Sequence, residues 1–125
     1  MNNRLKFRAW DGESMIEDTG IPHSTYFHTG PSLIYMQCTG LNDKNGKLIY
    51  EGDIVRYIFE TFEGRIEVVA VLTWIIEQAK FVCEQQRVIE DTLSLGGPQT
   101  SYPVQSAYCE VIGNIWENES PNLLT

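Results

Sequence analysis

Two runs of β-branched and aromatic residues constrain this chain more than any other feature. IVRYIFE at 54–60 and RIEVVAVLTWIIE at 65–77 are separated only by Thr61-Phe62-Glu63-Gly64. Residues of this kind fit a pleated, half-buried surface, and a short glycine-containing connection returns a strand antiparallel to its neighbour. A single hairpin is at best marginally stable in water, so other strands must cover its apolar side. Candidates flank it on both sides. LKFRAW at 5–10 alternates in polarity and runs into Asp11-Gly12, a turn signal, with Ser14-Met15-Ile16 as a short return. Leu33–Cys38 reads as a strand ended by Thr39-Gly40, Ala79–Glu84 as another, and Tyr108–Trp116 as the last. In QQRVIEDTLSL, 85–95, the spacing of Val88, Ile89, Thr92 and Leu95 suits a short helix as well as an irregular strand, and Gly96-Gly97-Pro98 ends either. Glu17 to Ser32, with Gly20, Pro22, Gly30 and Pro31, reads as a long surface loop. The pattern is mainly β: a small antiparallel SH3-like β-barrel with long loop insertions, at most one or two short helices, and one domain over 1–125.

The 125 residues allow roughly two-thirds of the unfolded-state surface to be buried, enough for a core without metal or disulfides. Cys38, Cys83 and Cys109 are odd in number and form no C-x-x-C pair, which fits free thiols and a reducing, cytoplasmic home. MNNRLKFRAW lacks the apolar region of a signal peptide. The longest near-apolar run, Ile66–Ile76, is interrupted by Glu67 and Thr73 and falls short of the ~20 residues of a membrane helix, so no membrane association is expected. A formal charge of −8 disfavours phosphate backbones and anionic membranes.

The segment MQCTGLNDKNGKLIYEGDIV, 36–55, concentrates two aspartates, two asparagines and three glycines. It is not a calcium loop. With Gly46 at the sixth position, Leu41 falls where the first carboxylate is needed and Gly52 where a bidentate Glu belongs. Asp43-Lys44-Asn45-Gly46 reads instead as a polar turn in which Asn45 and Gly46 take left-handed backbone angles. Glu51-Gly52-Asp53 reads as a tight corner, with the Asp53 carboxylate accepting backbone N–H groups. Asp11, Gly12 and Gly113 are further structural turn positions. His23 and His28, five apart in the long loop, lack a partnering C-x-x-C, so no metal is expected. No G-x-S-x-G, P-loop or G-x-G-x-x-G occurs, and no cofactor or catalytic residue is expected.

Arg4, Lys6 and Arg8 alternate on the first strand and read first as a solvated strand face opposite Leu5, Phe7 and Ala9, with an anion or nucleic-acid contact as the alternative. Trp10, Trp74, Trp116, Tyr35, Tyr50 and Tyr57 suit either a stacking platform for single strands or core packing.

Three blocks, RLKFRAWDGESM at 4–15, MQCTGLNDKNGKLIYEGDIVR at 36–56 and CEVIGNIWENESPNLL at 109–124, resemble the YopX-like proteins of bacterial phages and prophages. The family pattern runs K-F-R-A-W-D…M, Q-x-T-G-L-x-D-x-N-G-x-x-I-Y-E-G-D-I-V and E-V-I-G-N-I-x-E-N-P-x-L-L; here Ser120 offsets the last block, and 17–32 and 85–106 match nothing in it. The resemblance implies a small β-barrel, a cytoplasmic phage or prophage origin and self-association, and it implies no reaction. The expected function is that of an accessory protein acting by contact with itself or with a phage or host protein. One alternative is a nucleic-acid-associated regulator using Arg4, Lys6, Arg8 and the barrel aromatics. Another is an enzyme whose carboxylates, Asp53 with Glu51 or Glu110, assemble only in the fold.

Overall fold

The computed structural model describes residues 6–17, 33–93 and 101–117. Arg4, His23, His28, most of the 17–32 loop and the Gly96-Gly97-Pro98 break lie outside them. Nine strands occur among the described residues: β1 (Phe7–Trp10), β2 (Met15–Ile16), β3 (Ile34–Asn42), β4 (Leu48–Tyr50), β5 (Asp53–Thr61), β6 (Gly64–Ile75), β7 (Lys80–Asp91), β8 (Ser101–Pro103) and β9 (Cys109–Asn114), with one 3-10 turn at Ser106–Tyr108. They form two antiparallel sheets, β2-β1-β3-β4 and β8-β7-β6-β5-β9. The larger curls into a half-barrel.

The β5–β6 hairpin pairs from Ile54↔Val71 to Thr61↔Gly64 around Phe62-Glu63, as the two apolar runs require. The helical alternative is wrong for 85–93, the described part of that segment. β7 continues through this region, paired to β6 out to Ile66↔Asp91, with register shifts between Glu67 and Val68 and between Val69 and Ala70. These bulges leave Ile89 and Gln86 without opposing residues, so the neighbours Val88 and Ile89 are both exposed, out of strict alternation. A bulged strand and a short amphipathic helix then produce similar spacing in sequence. The expected stop at Thr39-Gly40 also fails: β3 runs on to Asn42 through Gly40 at φ +88° and a register shift against β4. Gly113 is not a turn, and its φ is not positive. It sits in β9 opposite Ile54, and the next pair, Val55↔Val111, skips Ile112.

Bulges bend and twist a sheet, and the interior records the result. β7 and β9 are separated by β6 and β5, a step of about 14 Å across a flat sheet at the usual strand spacing. Yet Cys83 on β7 and Cys109 on β9 bring their sulfurs within 3.9 Å. Both are free thiols, and the hydrogen-bond contact to Cys109, together with burial, pushes the Cys83 thiol well up. Around them Val55, Tyr57, Ile66, Val68, Ala70 and Leu72 from the large sheet and Ile49 from β4 form the core. Tyr102 stacks on Tyr57 with ring centroids 4.9 Å apart.

Two turns show how backbone demands met, and missed, their sequence signals. Gly46 takes φ +88° with open space where a Cβ would stand. Asn45, expected to share that conformation, does not. The only non-glycine residue with positive φ among those described is Ala79, at +51°, closing the β6–β7 turn where Gln78 N–H donates to Ile75 O. Left-handed angles cost an L-residue about 1–2 kcal/mol, partly offset by the greater unfolded-state freedom of glycine. Gly46→Ala is therefore expected to lose about 1 kcal/mol and Ala79→Gly to gain about 0.5 kcal/mol. Urea denaturation midpoints should move in opposite directions.

Candidate functional site

The 36–55 segment forms the junction between the two sheets. Glu51 and Gly52 carry the chain from β4 in one sheet to β5 in the other. Gly52 turns at φ +84°, and a Cβ there would stand 3.1 Å from Trp116 Nε1. Its N–H donates to Leu72 O and its carbonyl accepts from Ile115 N–H, tying the corner to β6 and to the residue after β9.

Asp53, 1% exposed, uses both carboxylate oxygens at this corner. Oδ2 accepts the Tyr50 N–H at 2.8 Å, and Oδ1 meets Arg8 Nη2 at 2.5 Å. The Arg8 guanidinium also lies 4.5 Å from the centre of the Tyr50 ring. An ion pair thus joins β1 of the smaller sheet to β5 of the larger one across 45 residues. Burial pushes the Asp53 carboxyl up, against the pull of Arg8 and the Tyr50 N–H. A solvated Arg8 was expected on the strand face; it is 4% exposed, because Asp53 from the other sheet covers it.

Asp43 fastens a second seam. Oδ1 accepts the N–H groups of Asn45 (2.8 Å) and Lys47 (2.9 Å), and Oδ2 accepts the Val111 N–H of β9 at 2.9 Å. Lys44 N–H adds a bond to Cys109 O. The β3–β4 turn therefore seals the outer edge of β9. Burial works against the Asp43 charge, but the N–H groups of Val111, Lys47 and Asn45 outweigh it and hold the carboxyl below its usual range. Asp11 organises its own turn as expected, with Oδ1 accepting Glu13 and Ser14 N–H at 2.8 Å and Gly12 at φ +106°.

Of the basic trio, Lys6 and Arg8 come together with Lys47 and Glu17 around a 350 Å³ depression, with the Arg8 charge committed to Asp53. The carboxylates offered for catalysis go to different places. Glu51 borders a depression at the corner, and Glu110 meets Arg56 at 3.4 Å on the outer face of the sheet. Arg56 also reaches Glu67 at 3.3 Å, and Arg65 binds Glu67, Glu60 (3.6 Å) and Glu90 (2.8 Å). Such a half-exposed ladder contributes little per pair. Of the six aromatics named from sequence, Tyr50 and Tyr57 are buried and Trp74 is exposed.

Sequence reasoning missed a wide opening. Between β3 and the β7–β8 edge lies a cleft of about 780 Å³, lined by Thr39 and Leu41 on one wall and by Trp74, Lys80, Phe81 and Tyr102 on the other. Trp74 and Phe81 pack edge to face at 5.0 Å. A smaller depression of about 240 Å³ is ringed by Ile34, Trp74, Ile115 and Trp116, so Trp74 borders both. Its walls come from four separate stretches, 34–36, 51–52, 71–74 and 115–116, and nothing local marks them as neighbours. No cluster of three or more metal-ligating side chains occurs among the described residues. No helix there is long and apolar enough to cross a membrane.

These features define a mainly-β half-barrel domain whose sheets are laced by buried aspartates. The model of the YopX protein family matches residues 15–125, and the chain belongs to that family. Among solved structures it is similar to protein EF1440 from Enterococcus faecalis, at 25% identity and a TM-score of 0.56, over 96% of this chain and 97% of that one. No curated protein matches.

Removing one partner of a buried ion pair strands the other charge, at about 3–5 kcal/mol, while replacing both is far milder. Arg8→Met should lose stability on that scale, and adding Asp53→Asn should restore more than half of it, measured by a double-mutant cycle in guanidinium. Among the buried carboxylates, the pH response follows Asp43. Its carboxyl lies below the unfolded value of 3.8, so its contribution is complete above that pH and is lost as pH falls below it. Asp53, shifted the other way, contributes no such loss on acidification. Denaturation between pH 2 and 5 should show the acid-side decline flattened in Asp43→Asn, which is itself less stable by roughly 1–3 kcal/mol at neutral pH.

Proposed function

We propose that this YopX-family chain is a phage or prophage accessory protein of the cytoplasm that acts by protein–protein contact, assembles with copies of itself and carries out no reaction. One observation supports the reading above the rest: the exposed apolar residues Ile34, Trp74 and Ile115 converge on one depression, and Trp74 continues that surface into the larger cleft. Contiguous apolar surface of this kind marks interaction sites, and tryptophan is enriched among the residues that dominate binding energy. Ile34 comes from β3, Trp74 from β6 and Ile115 from beyond β9, so the patch exists only in the folded chain. The charge of −8 and the commitment of Arg8 to Asp53 weigh against the nucleic-acid alternative.

Sedimentation velocity tests self-association. Ile34→Glu places a charge in the smaller depression and is expected to weaken assembly by at least about 30-fold, the effect of losing a contact worth roughly 2 kcal/mol. Phe62→Glu, at the opposite end of β6 and 99% exposed, should leave assembly unchanged. A wild-type chain that sediments as a monomer at every concentration overturns the self-association.

A further inference from the structure

We propose that the cleft between β3 and the β7–β8 edge binds an extended peptide segment of another protein, carrying one acidic side chain between apolar ones. This deepens the contact reading above and rests on it.

The first support is the pair of walls. Gln37, Thr39 and Leu41 of β3 line one side of the cleft and Ser101, Tyr102 and Pro103 of β8 line the other, so the opening runs between two strands and suits an extended peptide. Strand-lined grooves read such ligands by the pockets their alternate side chains enter.

The second is composition. The chain has 17 acidic and 9 basic residues, yet the described residues lining the cleft include Lys80 and no carboxylate. Lys80 is exposed at the start of β7 and makes no ion pair among the described residues. Around it stand Leu41, 39% exposed, and Trp74, 41% exposed, with Phe81 against the indole and Pro103 and Val104 on the β8 side. The lining calls for apolar contacts and one negative charge. Its volume of about 780 Å³ lies within the 300–1,000 Å³ range of pre-formed binding sites. A polyanion would meet the same lysine, but the charge of −8 on the whole chain penalises each further phosphate.

The test titrates the ¹⁵N-labelled full chain with three blocked pentapeptides, Leu-Glu-Leu-Pro-Leu and its counterparts with Gln or Lys in place of Glu, while amide spectra are recorded. Amides of 37–41, 80–82, 101, 102 and 104 should shift. The Glu peptide should bind about two- to fivefold more tightly than the Gln peptide, the scale of one exposed ion pair, and the Lys peptide most weakly. Lys80→Glu should reverse the order of Glu and Lys peptides while its spectrum keeps the wild-type dispersion. Leu41→Asp should abolish binding of all three and leave sedimentation unchanged, because Leu41 does not line the smaller depression. Equal affinity for the three peptides overturns the acidic specificity and leaves the contact surface standing. Unmoved cleft amides overturn the proposal entirely, whatever sedimentation reports about self-association. Tighter binding of an oligothymidine than of the Glu peptide also overturns it.

Discussion

The Arg8–Asp53 ion pair is the contact on which the two-sheet arrangement turns. It is buried, it joins strands that belong to different sheets, and Tyr50 anchors it from both sides, donating its backbone N–H to the carboxylate and presenting its ring to the guanidinium. Pairs of this kind add little net stability, since removing two charges from water costs about what their attraction returns. Their effect is on specificity. Any packing of β1 against β5 other than the native one leaves a desolvated charge without its counterpart, so wrong alignments are penalised more strongly than the right one is rewarded.

Asp43 complements this at the other seam. It brings no countercharge, only three backbone N–H groups that would otherwise need water, one of them on β9. The two aspartates therefore divide the work. Asp53 fixes where the chain crosses between sheets, and Asp43 seals the edge of β9, which would otherwise be a template for pairing with another chain. Closure is consequently lopsided. The β4–β9 side is laced by hydrogen bonds, while the β3 and β7–β8 side gapes into the cleft, with Trp74 at the boundary between cleft and corner. The apolar surface proposed for contact is the part of the half-barrel that the chain's own strands leave uncovered.

Much of the fold was legible in local sequence. The 54–77 hairpin, the Asp11-Gly12 turn, the left-handed Gly46 and the corner at Glu51-Gly52-Asp53 follow from residue preferences that act over a few positions. The errors in strand extent share one origin. β3 continuing through Gly40, β7 running on to Asp91 and Gly113 lying within a strand all involve register shifts, where partner strands decide whether a glycine or an extra residue ends an element or is absorbed by it. Ala79 shows the converse, a left-handed residue with no glycine or asparagine to announce it.

Sequence by itself determined that the chain is β-rich, where it turns, and that Asp43 and Asp53 serve backbone geometry, because these depend on steric and hydrogen-bonding preferences of neighbouring residues. Only the tertiary structure decided that Arg8 is buried against Asp53, that Cys83 touches Cys109 and that Leu41, Trp74 and Tyr102 share a cleft. Each joins residues at least 26 positions apart along the chain. Which distant strands meet is set by the curl of the whole sheet, summed over bulges and pairings that no short stretch contains.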